Sequence, residues 1–148
     1  MANYYGATRT NYCNVTDLEA FKRLLNDCMT TDGLGLTFIS NEDKVGFYVE
    51  SSLIGIPLAP ETDNQGDDSD EDCQGASLDL FHEKLQTLVA PGDAIIITEV
   101  GREKMRYLVG DVTVITRNEI RYMNLRDSAI AMAQDMLGNP SFKTVNEY

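Results

Sequence analysis

The sequence predicts an α+β fold. A single domain over residues 1–148 is built on a largely antiparallel sheet in the order β-α-ββ-α-βββ-α, with the helices packed on one face. Three observations predict it. Segments near 18–28, 78–89 and 125–137 each repeat apolar residues at helical spacing behind a capping residue. The strand-like runs fall in consecutive groups, two and then three, joined by short polar turns, which is antiparallel rather than crossover pairing. Such a sheet must bury one face, and the helices are the elements left to cover it.

Taken in order, TNYCNV (10–15) is short, aromatic and β-favouring, and is the expected first strand. Thr16 and Glu19 have the spacing of a capping box. Leu18, Phe21, Leu24, Leu25 and Cys28 then share one helical face, and the helix should end near Thr30, before Asp32-Gly33. LGLTFIS (34–40) and KVGFYVES (44–51) flank Asn41-Glu42-Asp43 and read as a hairpin. SLIGIPLAP (52–60) is expected to leave the sheet, because Pro57 and Pro60 argue against a central strand.

Ser77 is placed to cap the second helix, with Leu80, Phe81, Leu85, Leu88 and Val89 inward. AIIITEVG (94–101), KMRYLVGDVTVIT (104–116) and EIRYMNL (119–125) form a meander. In the middle strand Met105, Tyr107 and Val109 alternate with Arg106 and Leu108, and Gly110-Asp111 suggests a bulge. Asn124 or Asp127 starts a last helix with Ile130, Ala133, Met136 and Leu137 inward, closed by Gly138 and Pro140. The tail SFKTVNEY is expected to fray.

Composition narrows the function classes. A domain of 148 residues buries enough surface to fold without a disulfide or a metal. The three cysteines are odd in number and lack a CxxC spacing, so neither a disulfide framework nor a zinc site is expected. Cys13 and Cys28 sit in apolar patterns as small hydrophobes, whereas Cys73 lies among carboxylates that disfavour a thiolate. The start lacks a signal peptide's apolar core and no run is long enough to span a bilayer, so the expected setting is cytoplasmic. The net charge of −12 argues against direct binding to nucleic acid or an anionic membrane, and suits a basic partner surface.

Much of that charge lies in one segment. Residues 61–77 hold seven acids and no base, with the glycine, serine and glutamine of a flexible loop. The other 17 acids face 12 bases, a balance of only −5. Three readings compete for GDDSDEDCQG (66–75), and they rank as solvated loop, partner contact, then metal site. As a contact, Asp67, Asp68, Asp70, Glu71 and Asp72 would meet the arginines and lysines of a nucleic-acid-binding cleft. As an EF-hand, Asp68, Asp70 and Asp72 fit positions 1, 3 and 5, but Cys73 and Asp79 stand where the loop needs Gly and Glu. Ser69 within DDSDED resembles an acidic kinase site and carries little weight.

Tyr4, Tyr5, Arg9 and Tyr12 mix aromatics with a guanidinium. They read either as an edge strand with half-buried tyrosines or as an interface patch, since Tyr and Arg are enriched at hot spots. His82 reads as a solvated helix-face residue, and Glu99 and Glu103 as a charged hairpin tip, although paired carboxylates can serve acid–base chemistry. No GxSxG, HExxH or glycine-rich phosphate loop is present. No catalytic residue, metal or cofactor is therefore expected.

The segments YYGATRTNYC (4–13) and EVGREKMRYLVGDVTVIT (99–116) resemble small acidic proteins of bacterial phages, plasmids and integrative elements, in the patterns YYGAxRTNYF and EVGxEKLRYLVGYAxAV. Here Cys13 stands for the phenylalanine and Asp111 for an aromatic. The resemblance covers roughly forty residues and brings no biochemical role with it. By class-level analogy, it implies a non-enzymatic mobile-element protein. Such a protein would bind and inhibit a host defence or nucleic-acid-handling complex, of the anti-CRISPR or anti-restriction type. The expected partner is a basic protein or ribonucleoprotein such as a CRISPR effector, met by the acids of 67–72 with Tyr4, Tyr5 and Arg9 as a second patch. The competing class is an oligomeric accessory protein with no defence role, pairing through a sheet edge at 10–15 or 119–125.

Overall fold

The computed structural model describes residues 4–58, 75–103 and 107–143. Its elements are β1 (Tyr4–Thr10), α1 (Leu18–Asp27), β2 (Met29–Thr30), β3 (Thr37–Asn41), β4 (Lys44–Val49), β5 (Leu53–Pro57), β6 (Ala76–Ser77), α2 (Leu78–Leu88), β7 (Ile95–Glu103), β8 (Tyr107–Ile115), β9 (Ile120–Asn124) and α3 (Leu125–Leu137). A six-stranded sheet runs in the order β3-β4-β1-β7-β8-β9, with every neighbouring pair antiparallel. A small sheet, β2-β5-β6, lies beside it. The chain is α+β, as its sequence predicts, with the short strands added. Among the described residues no helix is long and apolar enough to cross a membrane.

Register fixes the two faces of the large sheet, because side chains alternate at every step. Ile95 and Ile97 of β7 face inward with Thr8 and Thr10 of β1, Val45, Phe47 and Val49 of β4, and Ile115 of β8, and all are buried. α1 contributes Phe21, Leu24 and Leu25 to this core, and α2 contributes Phe81 and Leu85. Phe47 and Phe81 meet edge to face at 5.9 Å, which ties the sheet to α2. Burying one such ring contributes roughly 1.5–3 kcal/mol. Arg117, in the turn between β8 and β9, donates from Nη1 to the carbonyls of Thr87 and Val89 and so anchors the end of α2.

Several expectations are corrected. The first strand is 4–10, not 10–15, and it sits between β4 and β7, so 10–15 is not a sheet edge. Asn11 ends the ladder: its side chain donates to Ala94 O and accepts from Ile96 N. Cys13 and Val15 then make only isolated bridges, to Val45 and Val89. The cap of α1 is Asp17, whose carboxylate accepts from the Ala20 amide, while the Thr16 hydroxyl is spent on Leu88 O. α1 stops at Asp27, because Cys28 turns extended and leads into β2.

Residues 53–57 do leave the large sheet, yet β5 is the middle strand of the small one. Pro57 is tolerated there as its last residue. Ala76 and Ser77, expected in the loop at 61–77, instead pair with Pro57 and Ile56, and residues 59–74 lie outside the described residues. Gly55 makes that pairing possible: its φ is +124°, and a Cβ would sit 2.3 Å from the Ser77 backbone. Gly110-Asp111 is not a bulge, because β7 and β8 stay in register from Ile95↔Ile115 to Glu103↔Tyr107. Gly110 instead makes room for the Leu125 side chain.

Ser77 caps α2 as expected, accepting from Leu80 N, and Asn124 caps α3 through Asp127 N. Gly138 closes α3 in the left-handed conformation, at φ 64°. α3 does not pack as its pattern suggests. Ile130 and Ala133 are half-buried, Met136 and Leu137 are exposed, and none of its residues is buried. Its main contacts are with β8 and β9.

Candidate functional site: an acidic cleft on the inner face

Past Ile97, the inward positions of β7 change character. Glu99 follows at the next inward step, and its register partners are Thr8 on β1 and Asp111 on β8. α2 covers the sheet as far as His82 and Leu78, and beyond them a cleft of about 590 Å³ opens. β5 supplies Leu53 to its wall, β9 supplies Tyr122 and Asn124, and the first turns of α3 supply Asp127 and Ser128. Thr8, Leu53, Leu78 and Ile97 give it an apolar side. Among the described residues its lining contains no lysine or arginine.

Each polar group has an identifiable setting. Ser52 donates its hydroxyl to Glu99 Oε2 at 2.6 Å. Asp111 is exposed at the mouth, and partial desolvation, then the charge of Glu99, pushes its carboxyl above the ordinary aspartate range. Asn124 Nδ2 donates to Asp127 Oδ2 at 3.2 Å, which holds that carboxylate at the start of α3. His82 is only 3% exposed, and its Nδ1 lies 3.2 Å from the Tyr122 hydroxyl. Burial lowers the imidazole below its usual value, and Asp79 only partly offsets it, so the ring is neutral at pH 7. The Tyr122 phenol is pushed up by partial burial and by Asp79 and Glu83. Five carboxylates thus act on one cleft, namely Asp79, Glu83, Glu99, Asp111 and Asp127.

The expected site residues fall elsewhere. Asp67, Asp68, Asp70, Glu71 and Asp72 lie outside the described residues, with Ser69 and Cys73, and so does the side chain of Tyr4. Tyr5 and Arg9 are on the outer face of the sheet, opposite the cleft. Neither lies on an edge strand, because β1 is central, and both are exposed rather than tucked in. The Arg102 guanidinium lies 5.3 Å over the Tyr5 ring, and Arg9 donates to the Tyr12 hydroxyl at 3.3 Å. His82 is not the solvated residue expected of it, because α2 presses it against β9. Glu99 is not at a hairpin tip but in mid-strand on the inner face. Glu103 does end β7.

Sequence reasoning missed Tyr122, Asn124, Asp127 and the inward role of Asp111. A signal existed for two of the groups. Glu99 keeps the parity of Ile95 and Ile97, and His82 lies four residues after Leu78 and three before Leu85, on one helical face. Chemically the cleft favours cations and repels anions. Cys13 and Cys28 are buried, with thiols raised to about 11 chiefly by burial, so neither is a nucleophile. Among the described residues no group of three or more His, Cys, Asp or Glu is placed to hold a metal. No family model matches this chain, and neither a curated protein nor a solved structure is similar to it.

Proposed function

We propose that this is a non-enzymatic binding protein of a mobile element. It engages a basic protein or ribonucleoprotein through acidic surface, and so inhibits a defence or nucleic-acid-handling complex of the anti-CRISPR or anti-restriction kind. The observation that carries this reading is the cleft: five carboxylates act on it, and among the described residues no lysine or arginine lines it. The acidic segment that includes Asp67, Asp68, Asp70, Glu71 and Asp72 joins the fold at Gly75, three residues before Leu78 on the cleft wall. The field of such a cleft steers a cationic partner faster than it adds net affinity. The outer patch of Tyr5 and Arg9 is a second contact of opposite character.

The test is affinity capture from a bacterial lysate with mass spectrometry. Wild type is compared with Glu99→Gln/Asp111→Asn and with a variant neutralised at the five acids of 67–72. A nucleic-acid-handling complex that wild type captures, and that either variant captures less, supports the reading. Capture that is unchanged between low and high ionic strength sinks it.

A second reading, an oligomeric accessory protein, draws on one feature. The outer sheet face and α3 expose Tyr5, Val100, Leu108, Met123, Met132 and Met136. Light scattering tests it, and a strict monomer at high concentration removes it.

A further inference from the structure

We infer that the outer face of the large sheet is a dimer interface, and that its occupant is the same face of a second copy of this chain. This rests on the exposed surface behind the oligomeric reading, and adds to it which face makes the contact and how. It does not depend on what the cleft binds, because the cleft lies on the opposite face of the sheet.

The alternation along the strands carries the inference. An antiparallel sheet with one face in water places polar residues outward. β7 and β8 do not. Register puts Ile96 and Val100 of β7 on the outer face with Leu108, Val112 and Val114 of β8, and Met123 of β9 lies beside Val112. Leu108 is 65% exposed, Met123 52% and Val100 51%. The Leu125 side chain lies over Gly110 and extends the patch. Strands that are apolar on both faces belong to sheets covered on both faces. α1 and α2 bury the inner face alone.

Charge, size and shape select a second copy as the cover. Among the described residues, the outward positions of the six strands hold no carboxylate, in a chain with 24 acids. Two copies of a −12 chain therefore meet with least repulsion on this side. A basic partner is steered to the acidic side instead. The arginines stand at the border of the patch and are engaged within the chain. Arg102 lies over the Tyr5 ring, Arg9 lies over the Tyr12 ring, and Arg121 pairs with Glu119 at 2.6 Å. An apolar centre inside a polar rim is the anatomy of a protein interface.

The six strands average about seven residues. At about 4.8 Å between strands and about 3.3 Å per residue, the face measures roughly 650 Å² before side-chain relief is added. A standard interface takes about 800 Å² from each partner, so this face is large enough for a stable dimer. Sheets packed face to face lie at about 30° because both carry the same twist. A second copy has that twist by identity, so the face complements itself across a twofold axis. In such a dimer the two clefts open on opposite sides, away from the contact.

The test is sedimentation equilibrium of the full chain, from low micromolar to near-millimolar concentration. Wild type is compared with Val100→Lys/Leu108→Lys on the outer face and with Met132→Lys/Met136→Lys on the exposed side of α3. The inference expects a reversible monomer–dimer equilibrium in wild type, strengthened at high ionic strength as the repulsion between two −12 chains is screened. It expects Val100→Lys/Leu108→Lys to weaken the dimer by about a hundred-fold or more, because each ammonium would be buried without a partner. It expects the α3 variant to keep the dimer. Val100 and Leu108 are exposed in the single chain, so melting of the dilute protein should not change. If the lysine pair fails to fold, Val100→Thr/Leu108→Gln replaces it, with a weakening of about ten-fold expected.

A strict monomer at every concentration overturns the inference and removes the oligomeric reading with it. A dimer that the outer-face variants leave intact, or that the α3 variant abolishes, overturns the inference alone and moves the contact to another surface. Capture through the cleft is a separate measurement, because these variants leave Glu99 and Asp111 in place.

Discussion

Two halves of one sheet face differ. Along β7 the inward positions read Ile95, Ile97, Glu99, Gly101 and Glu103. The first two lie under α1 and α2, are buried, and pack with Phe47 and Ile115. The next lies where the helices no longer cover the sheet, and there the same strand, face and alternation carry carboxylates. Register and backbone are continuous across the change. Helix coverage therefore decides which inward positions belong to the buried core. Polar residues at inward parity mark the boundary.

The sharpest way to break this contrast is to exchange the roles of the halves. Phe47→Ala, in the covered half, should cost about 3–5 kcal/mol in denaturant unfolding, because it leaves a cavity beside Phe81. Glu99→Gln, one inward step past the covered core, should cost far less. Equal losses would mean that the open half is structural too.

A smaller effect should appear with pH. His82 is held neutral in the fold by burial, against the opposing field of Asp79, so its folded value lies below 6.5. As pH falls through 6.5 the unfolded chain takes up the proton first. Stability should therefore fall as pH drops through 6.5, with the loss complete below the folded value. His82→Gln should flatten that slope. Asp93 does not interfere: partial burial would raise its carboxyl, but the Asn14 and Ala94 amides outweigh this and hold it low, so its contribution is lost only at more acid pH.

The open half should gain slightly from losing charge. The Asp111 carboxyl is raised by desolvation and by Glu99, so its ionised form is disfavoured in the fold. Asp111→Asn should stabilise the protein at neutral pH by no more than about 0.5 kcal/mol, since the group is exposed and screened. A clear destabilisation would mean that Asp111 is held by a favourable contact. The smallest effect belongs to the outer face, where Val100→Thr should stay within about 0.5 kcal/mol of wild type.

Local signals carried most of this architecture. The caps at Ser77 and Asn124, the hairpin at 37–49 and the meander from 95 to 124 follow from turn residues and periodicity. Propensity failed where tertiary pairing chose differently. The 10–15 run is β-favouring, but residues 4–10 have partners on both sides. The pattern of α3 promised a buried face that the fold does not provide. The cleft was half legible, because the parity of Glu99 and the helical phase of His82 are sequence facts. Tyr122 and Asp127 join them only because β9 pairs with β8 and α3 starts where β9 ends, and no local pattern encodes that convergence.

The central position of β1 bears on how the chain is made. β1 must lie against β7, whose residues are synthesised about ninety positions later. At translation speeds of 5–20 residues per second that is a wait of roughly 5–20 s. During it, β1 and the β3–β4 hairpin can associate only with one edge open. A nascent chain halted before Ile95 holds three strands of the large sheet and none of β7, β8 or β9. The β1 edge that later pairs with β7 would be exposed to any neighbouring chain, so the yield of this protein should depend on the pace of elongation through residues 50–100.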